Sequence, residues 1–213
     1  MRKNPIIVGN WKMNPQTIKE AQNLFLKIAK GALQQKKVTT IICPSYIHLG
    51  LFAQNKNKKT VLLGAQNFFY EEKGSFTGEV SLGMIVDAGA RYAIIGLSER
   101  RKIGETDSII NKKILAALSQ KITPIICIGE KDRDEEGNYY GFLKQQLEED
   151  LQGVSRQNIS KVIIAYEPIW AIGSSMAMDA HDIHGMTIFI KKTIMEMFRT
   201  KTPIEIPILY GGA

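Results

Sequence analysis

Short apolar runs rich in β-branched residues alternate with longer amphipathic segments along almost the whole chain of 213 residues. The runs predict strands at residues 6–10, 39–43, 61–65, 92–96, 123–128, 162–167 and 206–210. They are largely continuous in their apolar character, which is typical of a parallel sheet that is covered on both faces. This alternation of strands and helices predicts an α/β protein, built either as a doubly wound sheet or as a (β/α) barrel.

Three segments between the strands have helical periodicity, at residues 16–29, 138–151 and 179–198. Their apolar side chains recur every three or four residues, as a helix with one buried face requires. These side chains are Ile18, Ala21, Phe25 and Ile28 in the first segment, Leu143, Leu147 and Leu151 in the second, and Ile183, Met186, Ile190 and Ile194 in the third. No stretch reads as an interdomain linker, so we expect residues 1–213 to form a single domain.

Polar side chains stand at or just after the carboxyl end of nearly every predicted strand. They are Asn10, Lys12, Gln66, Asn67, Ser98, Glu99, Glu130 and Glu167. In a (β/α) barrel these strand ends converge on one mouth, where active sites form. The pattern favours the barrel over the doubly wound sheet, although strands can also simply end in polar residues.

A carboxylate and a distinctive loop end the sixth predicted strand, where residues 165–173 read AYEPIWAIG. Pro168 stops the strand directly after Glu167 because proline has no N–H to donate to the sheet. Gly173 offers a flexible point five residues later. This arrangement suits a catalytic base under a moving lid, and an ordinary surface acid ahead of a strand–helix loop is the alternative.

The net charge of +7 is compatible with nucleic acid, with small anionic substrates or with a basic surface that serves only solubility. The lysines are scattered, and the densest cluster, at residues 56–59, has no interleaved aromatic residues. We therefore expect a small anionic substrate and no nucleic-acid partner. No apolar run approaches the roughly 18 residues that cross a bilayer, so we expect no membrane association.

Cys43 and Cys127 each lie inside an apolar predicted strand, which indicates buried thiols in a reducing, cytoplasmic compartment. His181 and His184 are spaced to share a helix face, but no further ligand is spaced to join them in a metal site. The sequence also lacks both usual nucleotide-binding glycine loops. We expect neither a metal nor an organic cofactor.

Seven sequence blocks, one or more near most strand ends, resemble those of the triose-phosphate isomerase family. The blocks are GNWKMN (9–14), GAQN (64–67), FTGEVS (76–81), IIGLSERR (94–101), CIGE (127–130), AYEPIWAIG (165–173) and LYGGA (209–213). The resemblance implies a (β/α)8 TIM barrel and a ketose–aldose isomerase of glycolysis and gluconeogenesis. It would interconvert dihydroxyacetone phosphate and D-glyceraldehyde 3-phosphate through an enediolate, without a cofactor.

The resemblance also implies catalytic roles for individual residues. Glu167 matches the base that abstracts the proton, and Lys12 matches the cation that faces the phosphate and the enediolate. Asn10 matches a residue that holds a substrate oxygen, and Glu99 matches an acid that would fix Lys12 by a charge-assisted hydrogen bond.

Further residues correspond to phosphate-binding and subunit-interface positions of the family. Gly173, Gly211 and Gly212 match the backbone N–H donors to the substrate phosphate, and Ser174 could add a hydroxyl donor. The interface positions imply a homodimer, in which Thr77 reaches toward the partner's active site while Glu79 and Arg100 support the contact. The alternative is a solvated loop.

Three departures from the family pattern lower the expected activity. Leu97 occupies the electrophile position, where the family has a histidine, and leucine has no N–H and no titratable group. The segment that matches the family's lid, residues 168–178, has Gly173 followed by Ser174 instead of a second hinge glycine. The sequence ends at Ala213, after the seventh strand, so we expect a barrel that lacks the final helix–strand–helix segment and a sequence that is a fragment.

These departures leave two readings open and disfavour a third. The first is a triose-phosphate isomerase of weak or absent activity. The second is a catalytically degenerate homologue that binds a phosphorylated ligand or a partner subunit. A phosphate-binding barrel with different chemistry would need a new acid at the mouth, and the sequence offers no candidate.

Overall fold

The computed structural model describes residues 4–53, 60–173 and 178–211. The predictions for Ser174 and Gly212 lie outside the described residues. The chain divides into two compact units, one formed by residues 1–94 with 119–123 and the other by residues 95–118 with 124–213. Each unit is built from parallel strands and the helices that follow them.

The first unit is organised on four successive strands. These are β1 (Ile6–Asn10), β2 (Thr39–Cys43), β3 (Val61–Ala65) and the start of β4 (Tyr92–Ile95). Each strand runs parallel to its predecessor, with Asn10 beside Cys43 in the first pair and Gly64 beside Tyr92 in the last. The connections carry α1 (Ile18–Gln34), α2 (Tyr46–Ala53) and α3 (Leu82–Asp87).

Helix α1 is placed by its capping residues and its aromatic contacts. The Thr17 side chain accepts from the backbone of Glu20, whose side chain accepts from the backbone of Thr17, so the first turn has its donors satisfied. Phe25 stacks on Phe52 of α2, with ring centroids 4.4 Å apart. A backbone N–H of Trp11 donates to the carbonyl of Cys43 at 3.1 Å, which continues the strand pairing into the loop after β1.

The second unit contains the remaining strands and helices. Its strands are β5 (Thr123–Ile128), β6 (Ile163–Tyr166) and β7 (Ile208–Tyr210). Its helices are α4 (Ser98–Lys102), α5 (Asp107–Ser119), α6 (Asn138–Asp150) and α7 (Ala180–Met197), with 3-10 turns at Ile159–Lys161 and Ile169–Ala171. The strands are parallel, with Ile128 beside Tyr166 and Tyr166 beside Tyr210.

All seven predicted strands form in the predicted order, and four of them have the predicted bounds. β4, β6 and β7 are shorter than predicted because their terminal residues already belong to loops. In α6 the apolar face is confirmed, since Leu143 and Leu147 are completely buried. In α7 three of the four predicted apolar residues are buried, and Ile183 is half-buried.

The prediction for the buried face of α1 was partly wrong. Ile18 is 55% exposed and Ile28 is only half-buried, whereas Ala21 and Phe25 are buried as expected. The helix continues to Gln34, and its buried stripe follows the small side chains of Ala29 and Ala32. Small residues at these positions allow a close approach of the helix to the sheet, and they carry too little hydrophobicity to stand out in the sequence. Among the described residues, no helix has the length and apolar character needed to span a bilayer.

Candidate active site

Glu167 lies directly after β6, at the carboxyl end of the strand. Its backbone N–H donates to the carbonyl of Ile128 at 2.8 Å, which carries the β5–β6 pairing one residue beyond the strand. The hydroxyl of Ser98 donates to Glu167 Oε2 at 3.1 Å. Glu167 is half-buried, so a carboxylate at the strand end is held by a neutral donor and retains access to solvent.

The backbone beneath Glu167 is packed too closely for any side chain at Gly129. A Cβ at Gly129 would lie 1.8 Å from the carbonyl oxygen of Glu167. The N–H of Gly129 donates to Oε1 of the buried side chain of Gln146, at 3.0 Å. Helix α6 thus supports the loop after β5, and this loop in turn sets the position of the Glu167 backbone.

A small cavity adjoins Glu167 in the second unit. Its volume is about 10 Å³, which holds no more than one water molecule. The lining includes Ser98, Arg101, Gln146, Glu167 and Ile169. Glu167 therefore shares this cavity with polar side chains and with Ile169.

Leu97 stands immediately before Ser98, at the N-cap of α4. It is half-buried, and its carbonyl accepts from the backbone of Arg100 at 2.8 Å. The preceding Gly96 has φ of +75°, a left-handed conformation that glycine adopts without strain. The backbone therefore presents position 97 next to the residue that contacts Glu167, but the leucine side chain brings no donor there.

In the first unit, Lys12 has a backbone conformation that is uncommon for lysine. Its φ is +54°, in the left-handed region, where such strain is frequently associated with function. The N–H of Lys12 donates to Asn10 Oδ1 at 2.9 Å. The amide nitrogen of Gln66 donates to the carbonyls of both Lys12 and Cys43, each at 2.9 Å. Asn10 and Gln66 thus hold the Lys12 backbone while its side chain is exposed.

The start of the predicted lid is anchored by a buried carboxylate. Trp170 Nε1 donates to Glu130 Oε1 at 3.0 Å, and the same oxygen accepts from the Tyr166 hydroxyl at 2.7 Å and from Arg133 Nε at 3.0 Å. Glu130 is 1% exposed. Burial and this hydrogen bond raise the pKa of Tyr166, so its hydroxyl remains a donor at all ordinary pH values.

The end of the predicted lid is anchored separately, because the backbone N–H of Met178 donates to the Tyr210 hydroxyl at 3.1 Å. Gly173 has φ of +73°, as its expected role at a flexible point allows. The N–H of Gly211 donates to the carbonyl of Tyr166 at 2.9 Å, so in this structure it serves the β6–β7 pairing. Its role in phosphate binding stays a prediction.

The predicted interface residues belong to different units. Thr77 and Glu79 are exposed in a turn where Gly78 has φ of +93° and the N–H of Glu79 donates to Phe76. Arg100 belongs to the second unit, where its Nε lies 3.3 Å from Glu105 Oε1. Whether these residues meet a partner subunit stays a prediction.

Glu99 is exposed in the first turn of α4. Its predicted pairing with Lys12 would join residues of different units, and it also stays a prediction.

Sequence patterns for metal binding and thiol chemistry can be compared with the described residues. No group of three or more His, Cys, Asp or Glu side chains able to hold a metal occurs in 4–53, 60–173 and 178–211. His181 and His184 are exposed on α7. Neither Cys43 nor Cys127 forms a disulfide, and both are buried, as predicted. Burial raises the pKa of the Cys43 thiol to about 12.

The sequence reasoning missed three residues that support the site, namely Gly129, Gln146 and Arg133. Gly129 lies within the CIGE block, so its identity was noted without its role. Gln146 is buried in the middle of α6. A polar residue in a helix indicates a buried contact only once the buried face of that helix is known. Arg133 lies in a polar stretch that carries no periodic pattern.

Comparison with known proteins identifies the class of enzyme. The chain is similar over 99% of its length to a solved crystal structure of triosephosphate isomerase from Bartonella henselae, with a TM-score of 0.82, 31% identity and 83% of that chain covered. These values confirm the predicted (β/α) barrel fold, with the chain reaching its seventh strand at β7. They place the protein among the isomerases.

Sequence comparisons identify the particular family to which the chain belongs. The model of the triosephosphate isomerase family matches residues 5–213. Triosephosphate isomerase of Caldanaerobacter subterraneus subsp. tengcongensis is 40% identical over 213 residues, which cover 99% of this chain and 85% of the relative. That of Endomicrobium trichonymphae is 41% identical over 216 residues, covering 100% and 85%. The chain belongs to the triosephosphate isomerase family.

Proposed function

We propose that this chain interconverts dihydroxyacetone phosphate and D-glyceraldehyde 3-phosphate, a step of glycolysis and gluconeogenesis, with Glu167 as the base. The observation that carries the proposal is the Glu167 carboxylate at the end of β6, bonded to Ser98 at 3.1 Å and followed at once by an anchored loop. This is the geometry of a positioned base beneath a closing segment. Family membership supplies the substrate class.

The proposed reaction moves one proton between two adjacent carbons. Glu167 takes a proton from the carbon next to the carbonyl, and the electron pair forms the enediolate. The proton returns to the neighbouring carbon, while the hydroxyl proton passes from one substrate oxygen to the other. The positive charge of Lys12 stabilises the enediolate oxygens, and the Asn10 amide holds one of them. No electrons leave the substrate, so the reaction needs no redox group.

The loop residues would bind the phosphate and exclude water. Gly173 with Ser174, and Gly211 with Gly212, would donate backbone or hydroxyl hydrogens to the phosphate. Residues 168–178 would close over the substrate, so that Glu167 loses its water and becomes a stronger base. Glu99 would restrain the charged end of Lys12.

Leu97 is the reason to expect slow turnover. A positioned acid–base group typically contributes about 10²–10⁴ in rate, and leucine cannot polarise a carbonyl or transfer a proton. Glu167, Lys12 and Asn10 remain in place to support residual enolisation. We therefore propose an isomerase whose rate is limited by the substitution at this one position.

The turnover of four versions of the protein tests this function: the unsubstituted chain, Leu97→His, Glu167→Gln and the double variant. A coupled assay of glyceraldehyde 3-phosphate formation should show residual activity in the unsubstituted chain and a gain of about 10² or more for Leu97→His. Glu167→Gln should abolish both. Equal, fast rates for the unsubstituted chain and Leu97→His would contradict the proposed role of this position. Binding of 2-phosphoglycolate without any turnover would favour the degenerate phosphate-binding homologue.

A homodimer is the proposed assembly, and exposed apolar side chains of the first unit support it. Met13 is 85% exposed and Ile47 is 76% exposed. They follow β1 and β2, whose ends are joined by the Gln66 side chain. Sedimentation velocity should give twice the chain mass, and Ile47→Lys should shift the species toward the monomer.

We also propose a cytoplasmic location and a single barrel domain for residues 1–213. The free, buried thiols Cys43 and Cys127 support a reducing compartment. Fractionation of the cells that express the protein would test the location. A single cooperative unfolding transition by two probes would test the single domain.

A further inference from the structure

Trp170 connects the start of the proposed lid to a cationic side chain as well as to Glu130. The guanidinium carbon of Arg133 lies 5.4 Å from the centroid of the Trp170 ring. Arg133 also donates to the Tyr166 hydroxyl at 3.2 Å, and its Nη1 lies 3.6 Å from Asp182 Oδ2. Arg133 therefore joins the indole, the buried carboxylate and α7 in one place.

Tyr139 contacts the same guanidinium. The Arg133 carbon lies 4.9 Å from the centroid of the Tyr139 ring. A guanidinium within about 6 Å of two aromatic rings is attracted to both, and it loses much of the rotational freedom of a long side chain. Since the Arg133 side chain is only 22% exposed, solvent has limited access to it.

The position of Tyr139 is set by a local turn and by a second aromatic contact. The N–H of Asn138 donates to Asp134 Oδ1 at 2.7 Å, and Gly137 takes φ of +79° at the start of α6. Tyr139 then packs on Tyr140 at a centroid distance of 4.3 Å. Tyr140 in turn meets Phe189 of α7 at 4.7 Å, which ties the pair to a second helix.

We propose that Tyr139 is a positioning residue for the lid: it orients Arg133, and Arg133 holds Trp170 against Glu130. The inference rests on the proposed function of the loop, and it adds a residue that neither touches Glu167 nor enters the proposed chemistry. The row of side chains runs from Trp170 through Arg133 and Tyr139 to helices α6 and α7. Loss of the Tyr139 ring should remove one of the two ring contacts of Arg133 and loosen Trp170.

The direct readout is the accessibility of Trp170, measured by acrylamide quenching of its fluorescence. The chain has 2 Trp residues, so the experiment uses the Trp11→Phe background, in which Trp170 is the only fluorophore of its kind. Tyr139→Leu should raise the quenching constant by about twofold, the factor that corresponds to the weaker end of cation–π energies. Tyr139→Phe keeps the ring and should behave as the parent.

Phe142→Leu is the matched control, because its ring belongs to α6 and is 45% exposed. It removes an aromatic ring from the same helix and should leave the quenching of Trp170 near the parent value. An unchanged constant for Tyr139→Leu, or an equal rise for Phe142→Leu, would overturn the inference. If Tyr139→Leu fails to fold, Tyr139→Met provides the same comparison with a more adaptable side chain.

A separate titration distinguishes failure of this inference from failure of the proposed function. The unsubstituted chain is titrated with 2-phosphoglycolate, which carries a phosphate and a planar, charged carboxylate that resembles the enediolate group of the proposed intermediate. Absence of binding would contradict the proposed function, whereas the quenching data would still decide the role of Tyr139. In the Leu97→His background, Tyr139→Leu should change kcat more than it changes the rate of unfolding, and Tyr139→Phe should restore the parent value.

Discussion

Ser98 and Glu167 are 69 residues apart in sequence, and the serine hydroxyl donates to Glu167 Oε2 at 3.1 Å. This contact ties the first residue of α4 to the residue that follows β6. Since Leu97 directly precedes Ser98, the backbone that presents the electrophile position and the backbone that presents the base are linked through one hydrogen bond. A change at Ser98 should therefore act on catalysis through the placement of Glu167.

Replacing Ser98 by alanine should reduce kcat/KM by about tenfold, the effect of losing one hydrogen bond to a charged group. The measurement is made in the Leu97→His background, where the signal is larger. Ser98→Thr keeps the hydroxyl and should retain most of the activity. Equal activity in the alanine and parent proteins would show that this bond does not position the base.

Gly129→Ala should damage both stability and activity. The new Cβ would lie 1.8 Å from the Glu167 carbonyl oxygen, so the backbone must move. We expect a loss of about 1–3 kcal/mol in the free energy of unfolding in urea, together with a fall in kcat. Gly141→Ala is the control, because nothing lies within 4 Å of its Cβ and it stands inside α6. That change should stabilise the protein by about 0.5–1 kcal/mol.

The strands and the place of Glu167 at the end of β6 could be predicted because their signals are local. A continuous apolar run identifies each strand, and Glu167 stands out as a charge at the end of one. Helices α2, α3 and α4 were not predicted because they have 8, 6 and 5 residues, too few to show a period. Helix α5 was also not predicted, although it has 13 residues. The sequence of α4, SERRK, has no apolar face at all.

The support around Glu167 could not be predicted because it depends on tertiary contacts. Gln146 reaches Gly129 across 17 residues, and Arg101 reaches Asp150 across 49. A polar residue in a helix, taken alone, reads as a solvated face. Only the packing of α6 shows that Gln146 and Asp150 face inward, where burial forces them to find partners.

Asp150 should make stability depend on pH. Its side chain is fully buried, and Arg101 is shared between Asp150 and Asp107. Burial raises the pKa of Asp150 to about 8, with Arg101 opposing the shift and Asp107 adding to it. Between the ordinary pKa of about 4 and this value, the folded protein holds a proton that the unfolded chain releases. The free energy of unfolding should therefore fall as pH rises through this window and level off above about pH 8.

Urea unfolding of the parent and of Asp150→Asn at several pH values measures this contribution. Asparagine is neutral at every pH, so the variant should lose less stability between about pH 6 and about pH 8. The difference in slope should approach, at most, about 1.4 kcal/mol per pH unit. Parallel curves for the two proteins would show that Asp150 does not titrate in this range.

Lys113→Met should destabilise the protein strongly, because it removes one partner of a buried ion pair and leaves the charge of the other behind. Lys113 is bonded to Glu105, and both side chains are 3% exposed. Glu105 Oε2 has no hydrogen-bond partner among the described residues, so the carboxylate depends on its contacts with Lys113 and Arg100. Breaking a buried pair by removing one partner costs about 3–5 kcal/mol, which urea unfolding would detect as a large fall in the midpoint.

Lys144→Met is the control for Lys113→Met. Its partner Glu148 lies 3.9 Å away on an exposed helix face, so the change should alter stability by less than about 0.5 kcal/mol. The double variant Lys113→Met with Glu105→Leu should recover much of the lost stability, because the unpaired buried carboxylate is gone. If the double variant is no more stable than Lys113→Met alone, the loss comes from the packing of the lysine side chain and not from the unpaired carboxylate.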